Sequence, residues 1–281
     1  MREIPGRTVP VNGRRVYVEE SGQGSDWVVF EAGQGCGRTC WDPVLPLLAD
    51  RARLVAYDRA GFGRSGRTTA QLSIDDMAAD LVAMVEEVVP GRFVLVAHSM
   101  GGLVARRAAE SLASRLRGLL LVDPTPETAP VYDTWDQTVR KLDRALAVVR
   151  PLTAIRPMAR LVTGNVRRLF PADTYATMLA EDFTPAGISQ TRREMKAVVA
   201  AIPEFRHRPP RIPRCPTILL SAARPAKGRE RQHADIREHQ RRFADSLPEG
   251  WFEDADSAHF IQAERPRLVA DRTRRLLDHG S

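Results

Sequence analysis

The chain has 281 residues, of which 43% are hydrophobic, so it can bury a large core as one α/β domain or as one domain with an insertion. Its formal net charge of +7 comes almost entirely from arginine. The arginines are scattered, aromatic residues are few and no nucleic-acid-binding motif is present, so we expect a solvated basic surface and no nucleic-acid partner.

The cysteines and the apolar runs exclude several further classes of protein. Cys36, Cys40 and Cys215 are odd in number and lack metal-ligand spacing, which indicates neither a disulfide framework nor a zinc site, and we expect no metal and no cofactor. No apolar run is long enough to span a bilayer, and Met1 to Gly6 lack the apolar core of a signal peptide. We therefore expect a cytoplasmic protein with no membrane span.

The first half of the chain alternates predicted strands and helices. Apolar and polar residues alternate around Asn12-Gly13, which predicts a type I′ hairpin. Trp41 to Leu48 is predicted to be helical, and Ser73 begins an amphipathic helix with a capping-box pattern. Short apolar runs predict strands at residues 28–30, 54–57, 93–96, 119–122, 217–220 and 251–253. This order predicts an α/β fold with a mostly parallel central sheet of about eight strands and helices on both faces.

The alternation stops at about Pro124, and the next predicted strand is at residues 217–220. The residues between are predicted to form several helices, separated at Pro151, Pro157, Pro171, Pro185 and Pro203. We therefore predict a helical lid or cap insertion at residues 124–213. Residues 1–123 and 214–281 are expected to form the α/β core.

Residues 94–102, Val-Leu-Val-Ala-His-Ser-Met-Gly-Gly, carry the strongest functional signal in the chain. A buried strand is followed at once by a helical pattern, so Ser99 lies on a sharp strand-to-helix turn of the kind called a nucleophile elbow. Ala97 stands where this motif usually has its first glycine, and alanine is small enough for the turn. The alternative is a turn serine without chemistry.

A serine hydroxyl needs a base to remove its proton, and that base is normally a histidine supported by a carboxylate. His259 follows the last predicted strand and precedes the last helix, so we expect it at the same edge of the sheet as Ser99. His98 is expected to point away from the turn and to pack. The other histidines lie among polar residues and are expected at the surface: His207, His233, His239 and His279.

These motifs together resemble those of the α/β-hydrolase fold superfamily, in particular its esterase- and lipase-like serine hydrolases. The matching segments cover nearly the whole chain and are the N-terminal hairpin and residues 31–35, 57–66, 98–102 and 258–262. The family's chain order of nucleophile, acid and histidine implies that Ser99 is the nucleophile and His259 the base. The loop at residues 58–66 matches a family loop below the site, and we expect it to be structural.

The acid of the implied triad has several candidates. Most related enzymes carry it just after the strand that follows the insertion, where this chain has no aspartate. A minority place it after the preceding strand, which here ends at Asp123. Glu230 and Asp235 are the alternatives, and Asp123 would then cap backbone amides instead. Asp254 and Asp256 are expected in surface roles.

The resemblance also implies an oxyanion hole made of two backbone amides. One belongs to Met100, which follows the proposed nucleophile, and the other to Gln34 in the glycine-rich loop after the third strand. The family usually has His-Gly-x in this loop and the chain has Ala-Gly-Gln, but the missing histidine is not needed because the backbone donates. Trp41 and Trp135 are candidates for lining an apolar or mixed acyl pocket.

The implied function is a serine hydrolase that cleaves a carboxylic ester, lactone or thioester through an acyl-enzyme on Ser99. The expected partner is a small acyl substrate. The same scaffold could instead carry out carbon–carbon hydrolysis, perhydrolysis, a lyase reaction or acyl transfer, because the fold does not determine the chemistry. A different class of protein is a non-catalytic ligand-binding member with a vestigial triad, which would form no covalent acyl intermediate.

Overall fold

A single sheet of eight strands forms the centre of the computed structural model, which describes residues 6–279. In chain order the strands are β1 (Gly6–Val11), β2 (Arg14–Gly22), β3 (Trp27–Glu31), β4 (Arg53–Asp58), β5 (Phe93–His98), β6 (Leu116–Val122), β7 (Thr217–Ala222) and β8 (Gly250–Ala255). Their order across the sheet is β1-β2-β4-β3-β5-β6-β7-β8. β1 and β2 pair in the antiparallel sense and β3 to β8 run parallel, so the predicted mostly parallel sheet is confirmed.

The N-terminal hairpin turns where the sequence predicts it. Asn12 and Gly13 have φ angles of 48° and 76°, and a type I′ turn requires positive φ at both central positions. Residues 1–5, which belong to the segment predicted to lack a signal peptide, lie outside the described residues.

Helices cover both faces of the sheet. They are α1 (Ile74–Val88), α2 (Gly101–Ser111), α3 (Trp135–Leu152), α4 (Arg156–Val162), α5 (Gly164–Arg167), α6 (Ala172–Glu181), α7 (Pro185–His207), α8 (Glu230–Asp245), α9 (Ile261–Glu264) and α10 (Pro266–Asp278). Successive side chains of β5 point to opposite faces. Leu95 packs in the apolar cluster that contains α1 and α2, whereas Val96 packs in the cluster that contains α10. Within residues 6–279, no helix has the length and apolar character needed to cross a membrane.

Local sequence accounts for the start of α1. The Ser73 side chain accepts a hydrogen bond from the Asp76 amide, and the Asp76 carboxylate accepts one from the Ser73 amide. This reciprocal arrangement is the capping box that the sequence predicts.

The stretch from Trp41 to Leu48, predicted to be helical, does not form one continuous helix. The chain forms two short 3-10 helices instead, Arg38–Trp41 and Leu45–Leu47. Pro46 has no N–H group to donate to the Asp42 carbonyl oxygen and its ring would clash with that carbonyl group, which disfavours a continuous α-helix across this stretch.

The insertion between β6 and β7 is helical, and its helices are α3 to α7. Pro157, Pro171 and Pro185 lie at helix starts, as the sequence predicts. Pro151 and Pro203 were expected to separate helices but lie inside α3 and α7, each within the last turns of its helix. Each proline deprives the carbonyl group four residues before it of its helical donor, a loss confined to the last turns of the helix. The division into a lid and a core at residues 124 and 213 stays a prediction.

Candidate active site

Ser99 lies on the sharp turn between β5 and α2. Its φ angle is 54°, in the left-handed region that residues with a side chain rarely adopt. Gly101 and Gly102 leave no room for a side chain, because a Cβ atom on them would lie 2.5 Å from the Ala32 carbonyl oxygen and 2.8 Å from Cβ of Pro124. The small residues after Ser99 are therefore needed to pack the start of α2 against the sheet.

His259 lies in the loop between β8 and α9 and reaches Ser99. Its Nε2 atom is 3.0 Å from the Ser99 hydroxyl oxygen, and its Nδ1 atom is 2.6 Å from Oδ2 of Asp123. A carboxylate accepts, so Nδ1 carries the proton and Nε2 accepts from the serine. The His259 side chain is 51% exposed, so solvent and small molecules can reach this pair.

Asp123 follows β6 and has a φ angle of 43°. Its Oδ1 atom accepts hydrogen bonds from the Ala222 amide at 3.2 Å and from Gln240 at 3.1 Å. Burial on its own would raise the pKa of Asp123, but the hydrogen bond and charge of His259, with those two further donors, hold the pKa below its ordinary value. Asp123 is therefore an ionised acceptor for His259 at neutral pH.

The other candidate acids lie elsewhere. Glu230 is at the N-terminal end of α8 and accepts from the Gly228 amide. Asp235 is within α8. Asp254 pairs with Arg237, and Asp256 with Arg265, as expected of surface carboxylates. In the described chain, Asp123 is the carboxylate that the structure brings to His259.

The loop after β3 passes directly over Ser99. A Cβ atom on Gly33 would lie 2.6 Å from Nδ1 of His98 and 3.3 Å from Cβ of Ser99, so only glycine fits there. Within residues 6–279, the amides of Gln34 and Met100 donate to no acceptor. Both amides are therefore free to donate to another group.

Comparison with known proteins identifies the family. The model of the alpha/beta hydrolase family matches residues 28–272. The chain belongs to the alpha/beta hydrolase family.

Two named relatives of this alpha/beta hydrolase align with part of it. A putative carbamate hydrolase from Azorhizobium caulinodans is 32% identical over 108 residues, which are 38% of this chain and 40% of that protein. A pimeloyl-[acyl-carrier protein] methyl ester esterase from Aeromonas hydrophila is 35% identical over 112 residues, which are 40% of this chain and 42% of that protein. The chain thus spans less than half the length of these relatives.

A solved structure shares the fold over its whole length. A putative alpha/beta hydrolase from Nostoc sp PCC 7120 superposes with a TM-score of 0.77 at 20% identity, covering 99% of each chain. At this identity the likeness shows the fold alone.

In this alpha/beta hydrolase, a buried arginine holds the loop over Ser99. Arg59 donates to the carbonyl oxygens of Ala32 and Gly33 at 2.6 Å and 2.7 Å. The same guanidinium binds Glu31 at 2.6 Å and Glu194 of α7 at 2.8 Å. The role of Arg59 and Glu194 could not be predicted from the sequence, since no local pattern links a glutamate of the insertion to the loop after β3.

Glu194 also binds the loop directly. Its Oε2 atom accepts from the Gly35 amide at 2.9 Å, and its side chain is fully buried. Burial raises the pKa of Glu31, although the charge of Arg59 and the hydrogen bond from Tyr57 oppose this. The backbone of residues 32–35 is therefore fixed from the core and from the insertion at once.

Two further side chains, those of Gln240 and Asp58, form hydrogen bonds that hold segments around the candidate site. Gln240, which is buried on α8, donates to Asp123 and to the Pro124 carbonyl oxygen and accepts from Ser221. Sequence reasoning missed this role as well, because a glutamine among charged residues carries no signal. The loop at residues 58–66 is held by Asp58, which accepts from the amides of Arg38 and Arg64 at 2.9 Å and 3.0 Å.

His98 packs against His259, with ring centroids 4.7 Å apart. Its Nε2 atom donates to the His259 carbonyl oxygen at 3.0 Å. Burial, together with the nearby His259, lowers the pKa of His98 to about 3. His98 is therefore a neutral packing residue that also fixes the backbone of His259.

The two tryptophans suggested as pocket residues lie in different places. Trp41 is fully buried and packs against Phe30 with ring centroids 5.2 Å apart. Trp135 is half-buried at the start of α3 and packs edge-on against Tyr132 at 5.5 Å. Their role in lining a pocket stays a prediction.

Proposed function

We propose that the protein is a serine hydrolase that cleaves a carboxylic ester, lactone or thioester through an acyl-enzyme on Ser99. One observation carries the proposal: a continuous hydrogen-bonded chain runs from the Ser99 hydroxyl through His259 to Asp123, with distances of 3.0 Å and 2.6 Å. This chain links a nucleophile, a base and an orienting carboxylate in the roles that acyl transfer requires.

The steps follow from these contacts. Oγ of Ser99 attacks the substrate carbonyl carbon while its proton passes to Nε2 of His259. Asp123 stabilises the imidazolium that forms and keeps the ring in the required tautomer. The tetrahedral intermediate collapses, the leaving oxygen or sulfur takes the proton from Nε2, and the acyl group stays on Ser99. Water then attacks the acyl-enzyme with His259 again as the base, which releases the acid and restores Ser99.

The free amides of Gln34 and Met100 supply the oxyanion hole in this proposal. Preorganised backbone donors directed at the developing negative charge contribute a large part of the rate enhancement, and removing one donor costs about a hundredfold or more. The clamp formed by Arg59 and Glu194 supports the role of Gln34, because a donor must keep its position while charge develops.

The named relatives support the chemical class of the substrate. One relative is named a methyl ester esterase and the other a putative carbamate hydrolase, and esters and carbamates both carry a carbonyl carbon bonded to a heteroatom. Since the alignments cover less than half of these relatives, we carry over the class and not their individual substrates.

The test is intact-mass analysis after treatment with a fluorophosphonate, followed by peptide mapping. We expect one adduct on Ser99 in the wild type and none in Ser99→Ala. Ser111→Ala, which changes an exposed serine at the far end of the same helix, is the matched control and should label as the wild type does. A folded wild-type protein that forms no adduct would contradict the proposal and favour a ligand-binding protein. Labelled enzyme that turns over no ester, lactone or thioester would contradict the assigned substrate class.

A further inference from the structure

The large apolar side chains that are exposed, among the described residues, lie in a single stretch of the insertion. Their exposed fractions reach 70% at Val148 and 73% at Leu161. They come from α3, from the turn after it and from α4, and they are Leu142, Val148, Leu152, Ile155, Met158, Leu161 and Val162. A group of exposed apolar side chains of this kind marks an interaction site.

The same stretch holds the net charge of the whole chain. Residues 140–168 contain eight basic side chains and one carboxylate, a net charge of +7 that equals the formal net charge of the complete sequence. The carboxylate, Asp143, is already bound to Arg192 at 2.7 Å. The basic excess is therefore concentrated in this stretch. The sequence had instead suggested that it is spread over the surface.

The arginines of this stretch are available to a partner. Six of them are exposed, and within residues 6–279 none of the six forms an ion pair: Arg144, Arg150, Arg156, Arg160, Arg167 and Arg168. They alternate along the chain with the exposed apolar side chains. An occupant of this surface must therefore offer negative charge and apolar contact at the same place.

We propose that residues 140–168, called here the basic apolar face, bind the surface of an anionic lipid membrane. The aliphatic side chains insert into the boundary between headgroups and acyl chains, while the guanidinium groups bind lipid phosphates. Arginine suits this position because its long stem contacts apolar groups while its charged head stays among the phosphates.

Two other occupants fit the face less well. A second copy of the chain would bring a net charge of +7 against an equal charge, which is repulsive. A rigid acidic protein would need a separate pocket for each side chain that projects from α3, α4 and the turn between them. A fluid lipid surface accommodates these side chains without such pockets.

The basic apolar face leads towards the candidate active site. Phe170, which follows its last residue by two positions, packs edge-on against Phe260 with ring centroids 5.8 Å apart. Phe260 in turn contacts the ring of His259 at 5.6 Å. This chain of ring contacts links the basic apolar face to His259, and the proposed membrane binding does not depend on the proposed hydrolase function.

The experiment is sedimentation of the full-length protein with vesicles. One set is made of phosphatidylcholine and the other contains about one-third phosphatidylglycerol. We expect binding to the anionic vesicles alone, weakening as the ionic strength rises. The triple variant Arg150→Gln, Arg156→Gln and Arg160→Gln should lower the partition coefficient on the order of a hundredfold, since each arginine near an anionic surface contributes about fivefold.

The matched control separates this face from total charge. Arg208→Gln, Arg211→Gln and Arg231→Gln remove the same charge from exposed positions outside the face and should bind as the wild type does. Val148→Ser with Leu161→Ser, which keeps every charge, should bind at least about tenfold more weakly. Circular dichroism and the melting temperature report whether each variant is folded.

Several results would overturn the proposal. The first is no binding of the wild type to anionic vesicles at low ionic strength. The second is an equal loss of binding in the control triple variant, which would show a nonspecific charge effect. A third is full vesicle binding by the Val148→Ser, Leu161→Ser variant together with release by soluble polyglutamate, which would assign the face to an acidic protein.

Discussion

At the residue scale, the two carboxylate oxygens of Asp123 have different partners. Oδ2 faces Nδ1 of His259, while Oδ1 accepts from the Ala222 amide and Gln240. An asparagine could keep the second set of hydrogen bonds and would then turn its NH₂ group towards His259. This geometry allows the orienting role to be tested without removing the side chain.

We expect Asp123→Asn to lower kcat for a soluble short-chain ester by about four orders of magnitude, as the loss of an orienting carboxylate does in other triads. The amide would favour the tautomer that carries its proton on Nε2, and that nitrogen could not accept from Ser99. Initial-rate kinetics provide the measurement, and Glu230→Gln and Asp235→Asn are controls expected to match the wild type. An unchanged Asp123→Asn rate with a loss in either control would reassign the acid.

The lowered pKa of His98 predicts how the free energy of unfolding depends on pH. Its folded pKa of about 3 is below the ordinary value of 6.5, so between these values the unfolded chain binds one more proton than the folded chain. Stability must therefore fall as the pH drops through 6.5. From pH 7.5 to pH 5 the contribution of His98 should cost about 2 kcal/mol of unfolding free energy.

Urea denaturation at the two pH values measures this effect. His98→Gln cannot titrate, so its loss of stability over the interval should be smaller than that of the wild type by about the same 2 kcal/mol. Equal losses in the two proteins would mean that His98 is protonated when folded.

Sequence motifs single out Ser99 and His259 as site candidates, and their catalytic roles stay predictions. Ser99 follows from its strand-to-helix turn and His259 from its place before the last helix, and the structure brings the two together. Asp123 came from the resemblance and not from local pattern. Arg59 could not be predicted, because its role depends on Glu31 and Glu194, which are far apart in sequence and meet only after folding.

At the scale of elements, two buried arginines join the insertion to the core in different ways. Arg59 joins Glu194 of α7 to the carbonyl groups of the loop over Ser99. Arg38 binds Glu19, Asp58 and Glu181 of α6, but among the described contacts it donates to no carbonyl oxygen of that loop. The two arginines thus share burial and charge and differ in their contact with the loop.

Replacing each arginine by lysine should separate stability from reactivity. Lysine keeps the charge but not the planar set of donors, so both Arg59→Lys and Arg38→Lys should lose about 3 kcal/mol of unfolding free energy. Only Arg59→Lys should also slow fluorophosphonate labelling of Ser99, by about tenfold or more, because the oxyanion loop loses its support. Melting temperature and labelling rate provide the two measurements. Equal labelling rates in the two variants would show that the clamp does not position the loop.

The helix ends show which features of a helix can be predicted from nearby residues and which cannot. Ser73 and Asp76 form their capping box from residues three apart, so the start of α1 could be predicted. Pro151 and Pro203 misled the prediction, because proline disfavours a helix interior but is tolerated where neighbouring turns are already paired. Whether those turns form depends on packing against other elements.

At the scale of the whole molecule, the core and the outer insertion differ in how much they bury. Eight residues of α1 are buried, whereas α3, which is longer, buries only Val139. Local opening is easiest where few side chains are buried. The molecule should therefore combine a rigid sheet with a more labile outer layer at α3 to α5.

Hydrogen exchange followed by mass spectrometry tests this difference. Amides of α3 and α4 should exchange orders of magnitude faster than those of α1 and α2, since their opening free energies lie well below that of global unfolding. Equal protection of the two groups would show that the insertion and the core unfold as one unit. Adding anionic vesicles should slow exchange in residues 140–168 if the basic apolar face binds them.

The positive φ angles at Ser99 and Asp123 set a limit on engineering this protein. A left-handed backbone costs a residue with a side chain about 1 to 2 kcal/mol, and glycine avoids most of that cost. Ser99→Gly should therefore be more stable than Ser99→Ala by about 1 kcal/mol in urea denaturation, although neither variant can be acylated. Laboratory evolution guided by heat resistance alone would thus drift towards an inert protein, and a library built on this scaffold needs turnover as its selection criterion.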